Sequence, residues 1–217
     1  MKKQFVLLTA LAGLAAMTPG VHAQDVYTGF GLPGLYTLRY ALPLNYSVGL
    51  RVEYAGGLSV SKDGNLDGVN VTGNFKSSRL GAFADWFPLG GGFRLVGGLS
   101  ANDTRAELNG LGSGSSTING TTVNMAGESY KVTVKYPDTT AYLGIGYGHQ
   151  LGEAKGLGFY ADLGVSLGTF SASSSTSLVG KQGITQADVD AQNQKIRDAL
   201  NGSSVLPSAS LGLLYRY

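Results

Sequence analysis

The chain has no cysteine among its 217 residues. That removes disulfide frameworks, thiolate metal sites and a lipid-anchored N-terminal cysteine together. Charge is scarce as well. Only 14% of residues are Asp, Glu, Lys or Arg against 43% hydrophobic, so something other than water must solvate part of the molecule. Yet no apolar run reaches the roughly 20 residues that a membrane-spanning helix needs. What the chain has in excess is glycine, 34 residues with no collagen-like period, set inside alternating segments such as GLGFYADLGVSLG.

The one sustained apolar run, Phe5 to Ala16, follows Lys2 and Lys3 and precedes Pro19, Gly20, Val21, His22 and Ala23. Small residues at the first and third places before Gln24 predict a cleaved Sec signal peptide over residues 1–23, cut between Ala23 and Gln24, with 24–217 as the mature domain. Removing Lys2 and Lys3 from the 16 basic residues leaves 14 against 14 acidic ones. The mature chain is formally neutral, and nothing in it points to nucleic acid.

From Gln24 onward the dominant signal is alternation of period two, which sends successive side chains to opposite faces of a sheet. Leu157, Phe159, Ala161, Leu163, Val165 and Leu167 fall on one face, and Gly158, Tyr160, Asp162, Gly164, Ser166 and Gly168 on the other. The pattern recurs over residues 36–42, 47–54, 79–86, 93–100, 141–148 and 208–217. One face suits hydrocarbon; the other is small and polar. With residues 26–31 as a separate first strand, turning through Leu32, Pro33, Gly34 and Leu35, the strands number eight.

Connections alternate in length. Residues 43–46, 88–91 and 151–156 are tight, whereas 61–70, 109–127 and 171–204 are long, as in outer-membrane barrels with short periplasmic turns and longer outside loops. Tyr40, Tyr46, Trp86, Phe87, Phe93, Tyr147, Phe159, Tyr215 and Tyr217 gather at the short-turn end and read as a periplasmic aromatic girdle. The expectation is all-β: a transmembrane antiparallel up-and-down barrel of eight strands, acting as a monomer. In the last long loop, Thr185 as N-cap, Asp188 at the third helical position and Gly202 as a stop predict a short helix. Val189, Ile196 and Leu200 would form its apolar stripe, packed as a lid over the lumen or against a loop.

The C-terminal segment LGLLYRY resembles the last strand of small outer-membrane barrels of the OmpA transmembrane-domain, OmpX and Opa surface-antigen type. In that family a terminal aromatic preceded by alternating apolar residues is read by the barrel-assembly machinery. The resemblance assigns that role to Leu211, Leu213, Tyr215 and Tyr217, the last standing where the family usually has Phe. The segments RLGAFADWFPLGGGFRLVGGL and TINGTTVN are similar to a proteobacterial group of outer-membrane barrels that carries no agreed activity. The resemblance implies the outer membrane of a Gram-negative-type bacterium, with lipid including lipopolysaccharide around the barrel. It also implies periplasmic chaperones and the assembly machinery as partners in biogenesis, and no peptidoglycan-binding domain is expected beyond Tyr217.

An eight-stranded barrel is just wide enough to be filled by side chains. The facing rule sends Arg39, Arg51, Glu53, Arg79, Asp85, Arg94, Asp162 and Arg216 inward, with Tyr27, Tyr142 and Tyr160. Unpaired buried charge is costly, so these groups are expected to form a salt-bridged plug. The inward glycines keep open an alternative, a narrow channel for small solutes or ions. No enzyme is expected. The mature chain's one histidine, His149, falls beside a short turn at the periplasmic rim, far from the outer leaflet where a lipid-modifying site would sit, and no metal spacing, phosphate loop or cofactor motif is present. Function is then expected in the long loops, as a structural or surface-interaction role with an extracellular ligand in the manner of an adhesin or surface antigen. Asn119, Gly120 and Thr121 match a glycosylation triplet but read as the hairpin turn of a small β structure over residues 117–123.

Overall fold

Alternation of period two becomes strand almost everywhere it was found. The computed structural model describes residues 24–66, 69–112, 114–148, 155–200 and 204–217. The predicted signal segment with Ala23, His149, residues 151–154 of the third short turn and the Gly202 stop lie outside these residues. In chain order the elements are β1 (Asp25–Leu32), β2 (Tyr36–Pro43), β3 (Val48–Leu66), β4 (Val69–Trp86), β5 (Arg94–Gly112), β6 (Ser115–Ile118), β7 (Thr121–Asn124), β8 (Ser129–Lys135), β9 (Thr139–Tyr147), β10 (Gly156–Leu167), β11 (Ser171–Thr176), the helix α1 (Gln186–Leu200) and β12 (Val205–Arg216).

Eight of these strands close a ring in the order β1-β2-β3-β4-β5-β9-β10-β12, every neighbour antiparallel. The fold is the expected closed barrel. Its seam pairs Asp25 with Arg216 and runs to Leu32 with Ala209, and beyond it Gln24 and Tyr217 exchange backbone hydrogen bonds of 3.4 and 3.2 Å. Facing follows parity, so that Phe159 is 75% exposed while its neighbour Tyr160 is 3% exposed. Leu, Ile, Val and aromatic side chains cover the outside, and the inside is polar.

The wall is uneven in height. β3, β4 and β5 have 19, 18 and 19 residues, whereas β1 and β2 have 8 each. A tilted strand needs only about 9–11 residues to cross hydrocarbon, and the long strands far exceed that length. β9 pairs with β5 along Arg94–Ala101 and β8 continues in the same register along Arg105–Leu111, which makes β8 and β9 one interrupted strand. Pro137, lacking an N–H, breaks that ladder. The break is bridged by Tyr136 N donating to Thr104 O at 3.0 Å and Asn102 N donating to Asp138 O at 2.8 Å. Tyr136 turns inward there, its hydroxyl donating to Ser166 O at 2.6 Å and its ring 4.9 Å from Phe170. β11 pairs with β8 in turn, so a five-stranded sheet of β3, β4, β5, β8 and β11 stands above the ring.

Two expectations need correction. Residues 61–70 are not a loop, because β3 and β4 simply continue through most of them. The continuation carries polar pairs such as Asp63 and Thr72, whose side chains hydrogen-bond at 2.7 Å, and so leaves no apolar stripe to read. It starts at a bulge between Ala55 and Leu58, where Gly57 takes a φ of 84° that disfavours other residues. Phe87, in turn, is not part of the girdle. It is 2% exposed and continues the inward parity of Asp85.

Candidate functional site

Burial drives charged side chains to find each other, and across the lumen six of them do so in a closed cycle. Glu53 Oε2 accepts from Arg51 Nη1 at 2.8 Å and lies 2.7 Å from Arg39 Nε. Arg39 also pairs with Asp162. Asp162 Oδ1 accepts from Arg94 Nη2 at 2.6 Å, and Arg94 Nε is 3.7 Å from Asp85. Asp85 accepts Nε and Nη2 of Arg51 at 2.9 and 3.2 Å, which returns the cycle to Glu53. The cycle ties β2, β3, β4, β5 and β10 together and is neutral in itself. A fourth arginine, Arg79, also pairs with Glu53 and has no carboxylate of its own. Its Nε and Nη1 lack hydrogen-bond partners, and its charge rests over the rings of Tyr142 at 4.9 Å and Phe83 at 5.8 Å.

All eight sequence-predicted lumen charges are therefore inside, seven of them joined. The eighth, Arg216, forms a bidentate pair with Asp25, both contacts at 2.7 Å. Asp25 was missed because the first strand was started one residue late, although it has the parity of inward Tyr27. A layer of neutral groups on the far side of Arg79 was also missed. There Ser77 meets Thr104 at 2.7 Å, Ser100 meets Thr140 at 3.0 Å and Asn102 Nδ2 donates to Thr140 at 3.0 Å; single Ser and Thr residues give no charge signal to follow. Inward glycine makes room for the bulky groups. A Cβ at Gly146 would overlap the Asp162 carboxylate and the Arg94 guanidinium, and one at Gly164 would overlap the Tyr142 hydroxyl.

A second site is built from the long loops. Asn119 and Gly120, at φ 48° and 87°, form the two-residue turn that joins β6 to β7, as the Asn-Gly pair predicts. Thr185 and Asp188 cap α1 reciprocally: Thr185 N donates to Asp188 Oδ2 at 3.0 Å, and Asp188 N donates to Thr185 Oγ1 at 3.3 Å. Hydrogen bonds from Thr185 and from Asn119 hold the Asp188 carboxyl down at about 2. Asn119 Nδ2 donates to Asp188 at 3.1 Å, and Lys195 Nζ donates to Asn119 Oδ1 at 2.9 Å. Gln182 brackets Asn124 with two backbone contacts of 2.8 Å, and Lys181 binds Glu128 at 2.8 Å. Beneath these contacts Ile118, Val123, Met125, Leu178, Ile184 and Val189 form a buried cluster of their own. The helix thus docks on the hairpin and on β11, where Arg197 donates to Ala172 O at 3.1 Å. Of its predicted stripe only Val189 is fully buried, and Asn193, one turn on, shares that face.

No protein-family model and no curated sequence matches the chain. Among solved structures, CarO of Acinetobacter baumannii aligns with 91% of this chain and 98% of its own at 20% identity, with a TM-score of 0.58. The chain shares its fold with CarO. CarO2 of the same organism gives a TM-score of 0.59 at 21% identity over 90% of this chain and 99% of its own. At such identity the likeness concerns architecture alone, that of an eight-stranded antiparallel β-barrel.

On this CarO-like barrel Leu211, Leu213, Tyr215 and Tyr217 share one exposed outward stripe along β12. Tyr217 and Tyr40 both donate to Gln24 Oε1, at 3.0 and 2.6 Å. The residue expected to begin the mature chain is thereby fixed to the final strand and to β2.

Proposed function

We propose that the chain is an integral protein of the outer membrane, exported with a cleaved signal peptide, whose role is structural and surface-interacting and not enzymatic. The observation that carries this reading is the loop assembly. Two loops distant in sequence share a buried core and a polar latch beyond the apolar belt, and a preorganised surface on a rigid scaffold is where recognition resides. Outer membranes run on SDS gels with and without boiling test the barrel. A heat-dependent shift is expected, and a soluble periplasmic protein without one sinks the reading. Deleting residues 115–124 together with 178–200 is expected to abolish attachment of displaying cells to extracellular-matrix-coated surfaces while leaving the shift intact. Unchanged attachment would turn attention away from the loops.

A second reading rests on Arg79. Its surplus charge and free donors, with the neutral Ser77, Thr104, Ser100, Asn102 and Thr140 beyond them, favour a narrow anion path. Discrete conductance steps in planar bilayers, altered by Arg79→Gln, are the expected sign. A silent membrane leaves the lumen a plug.

A further inference from the structure

Three cations lie abreast on the outside of the tall wall. Register sets Lys76 of β4 opposite Arg105 of β5, and Arg105 opposite Lys135 of β8, with neighbouring strands about 4.8 Å apart. Like charges directly opposite each other destabilise a sheet, and here two such oppositions adjoin. The Lys76 and Arg105 side chains are 49% and 42% exposed, so neither is folded away. Nearby carboxylates offset the row incompletely. Asp103 is 2.7 Å from Lys76 and 3.9 Å from Arg105, while Glu107 is 4.0 Å from Arg105 and 3.4 Å from Lys131. Lys135 has no carboxylate within 4 Å among the described residues. Four cations thus face two anions on a mature chain whose total charge is zero.

The height of the row decides what it meets. Trp86 to Lys76 along β4, and Leu95 to Arg105 along β5, are each about ten residues. At roughly 3.3 Å per residue and a tilt of about 40° they rise some 25 Å, the height of the apolar band on outer-membrane barrels. With Trp86 at one interface, the row stands at the other, where phosphate groups of the outer leaflet lie. Below it the outward surface is shallow: Leu80 is opposite Ala101, Ala82 opposite Leu99 and Ala84 opposite Gly97. The same climb along β12, from Tyr215 to Val205, ends at no cation.

We propose that Lys76, Arg105 and Lys135 bind the phosphates of a lipid A-type phosphoglycolipid in the outer leaflet, its acyl chains lying along the small residues Ala82, Ala84, Ala101 and Gly97. Arg105 offers the paired donors that suit a phosphate, and the two lysines flank it as point charges. The inference rests on the outer-membrane reading above and names one partner of that surface.

The test uses mature chain folded in neutral detergent, its fold checked by the gel shift, titrated with bis-phosphorylated lipid A. The dephosphorylated glycolipid, phosphatidylglycerol and inorganic phosphate are titrated in parallel. The phosphorylated glycolipid is expected to bind at least tenfold more tightly than the other three. K76Q/R105Q/K135Q is expected to lose at least tenfold in that affinity with the shift retained, and K62Q/K155Q to lose none. Equal binding by the triple variant overturns the proposal, as does equal binding of dephosphorylated glycolipid, phosphatidylglycerol or inorganic phosphate. Should the triple variant not fold, R105Q and K135Q singly are held to a threefold loss each. A wild-type chain without a gel shift defeats the membrane reading and this inference with it, whereas a shifted chain indifferent to phosphate defeats this inference alone.

Discussion

Glu53 meets three guanidiniums at once, from Arg39, Arg51 and Arg79, where Asp85 and Asp162 each meet two. Glu53→Gln keeps the shape and removes the shared counter-charge. Breaking a buried pair from one side costs about 3–5 kcal/mol, so the unheated folded band should vanish at clearly lower urea than for the wild type. Arg79 sits at the opposite extreme. Arg79→Met removes a buried lumen cation that has to share Glu53 with Arg39 and Arg51 and keeps apolar contact with Tyr142 and Phe83, so stability is expected to hold or rise by up to about 2 kcal/mol. A urea midpoint for Arg79→Met as low as that for Glu53→Gln would refute the surplus.

At the scale of elements, the loop assembly should come apart without the barrel. Thr185→Ala deletes the N-cap of α1, worth about 1 kcal/mol, and is expected to speed hydrogen exchange in residues 186–200 while the gel shift stays. Acid should act through the same cap. Because the Asp188 carboxyl is lowered from 3.8 to about 2 in the docked state, its contribution is whole above the ordinary value and fades as pH falls from about 4 to about 2. Helix protection is therefore expected to be flat from pH 7 to 5 and to drop below 4; a drop already at pH 6 would point to another group. Much of this layer was legible in sequence. Asn119-Gly120 named its own turn, and Thr185 with Asp188 named the helix start, because caps and tight turns are chosen by local chemistry. The polar continuation of β3 and β4, the Pro137 interruption and the burial of Asn193 were not legible. Each depends on which strand lies alongside, and polar residues carry no alternation to announce it.

The whole ring was readable from parity and from the contrast of short and long connections, as were the charges that enter it apart from Asp25. Which charge meets which was not, since pairing follows register between strands as remote in sequence as β2 and β10. The seam shows the same limit, for Asp25 and Arg216 are 191 residues apart. Asp25→Asn leaves Arg216 with a weakened partner at the β1–β12 junction that closes the ring, so a smaller share of chain is expected to reach the heat-modifiable state on assembly into liposomes. Asp25→Leu with Arg216→Leu should recover much of that share, since an apolar pair leaves no stranded charge. Gln24 and Tyr217 hydrogen-bond to each other across that junction, so the ring has no structural first strand. Were those two residues linked by a short peptide and the chain reopened between Leu44 and Ser47, the same wall could be written from a different starting letter. Only the order of synthesis makes β12 the strand that all the others wait for.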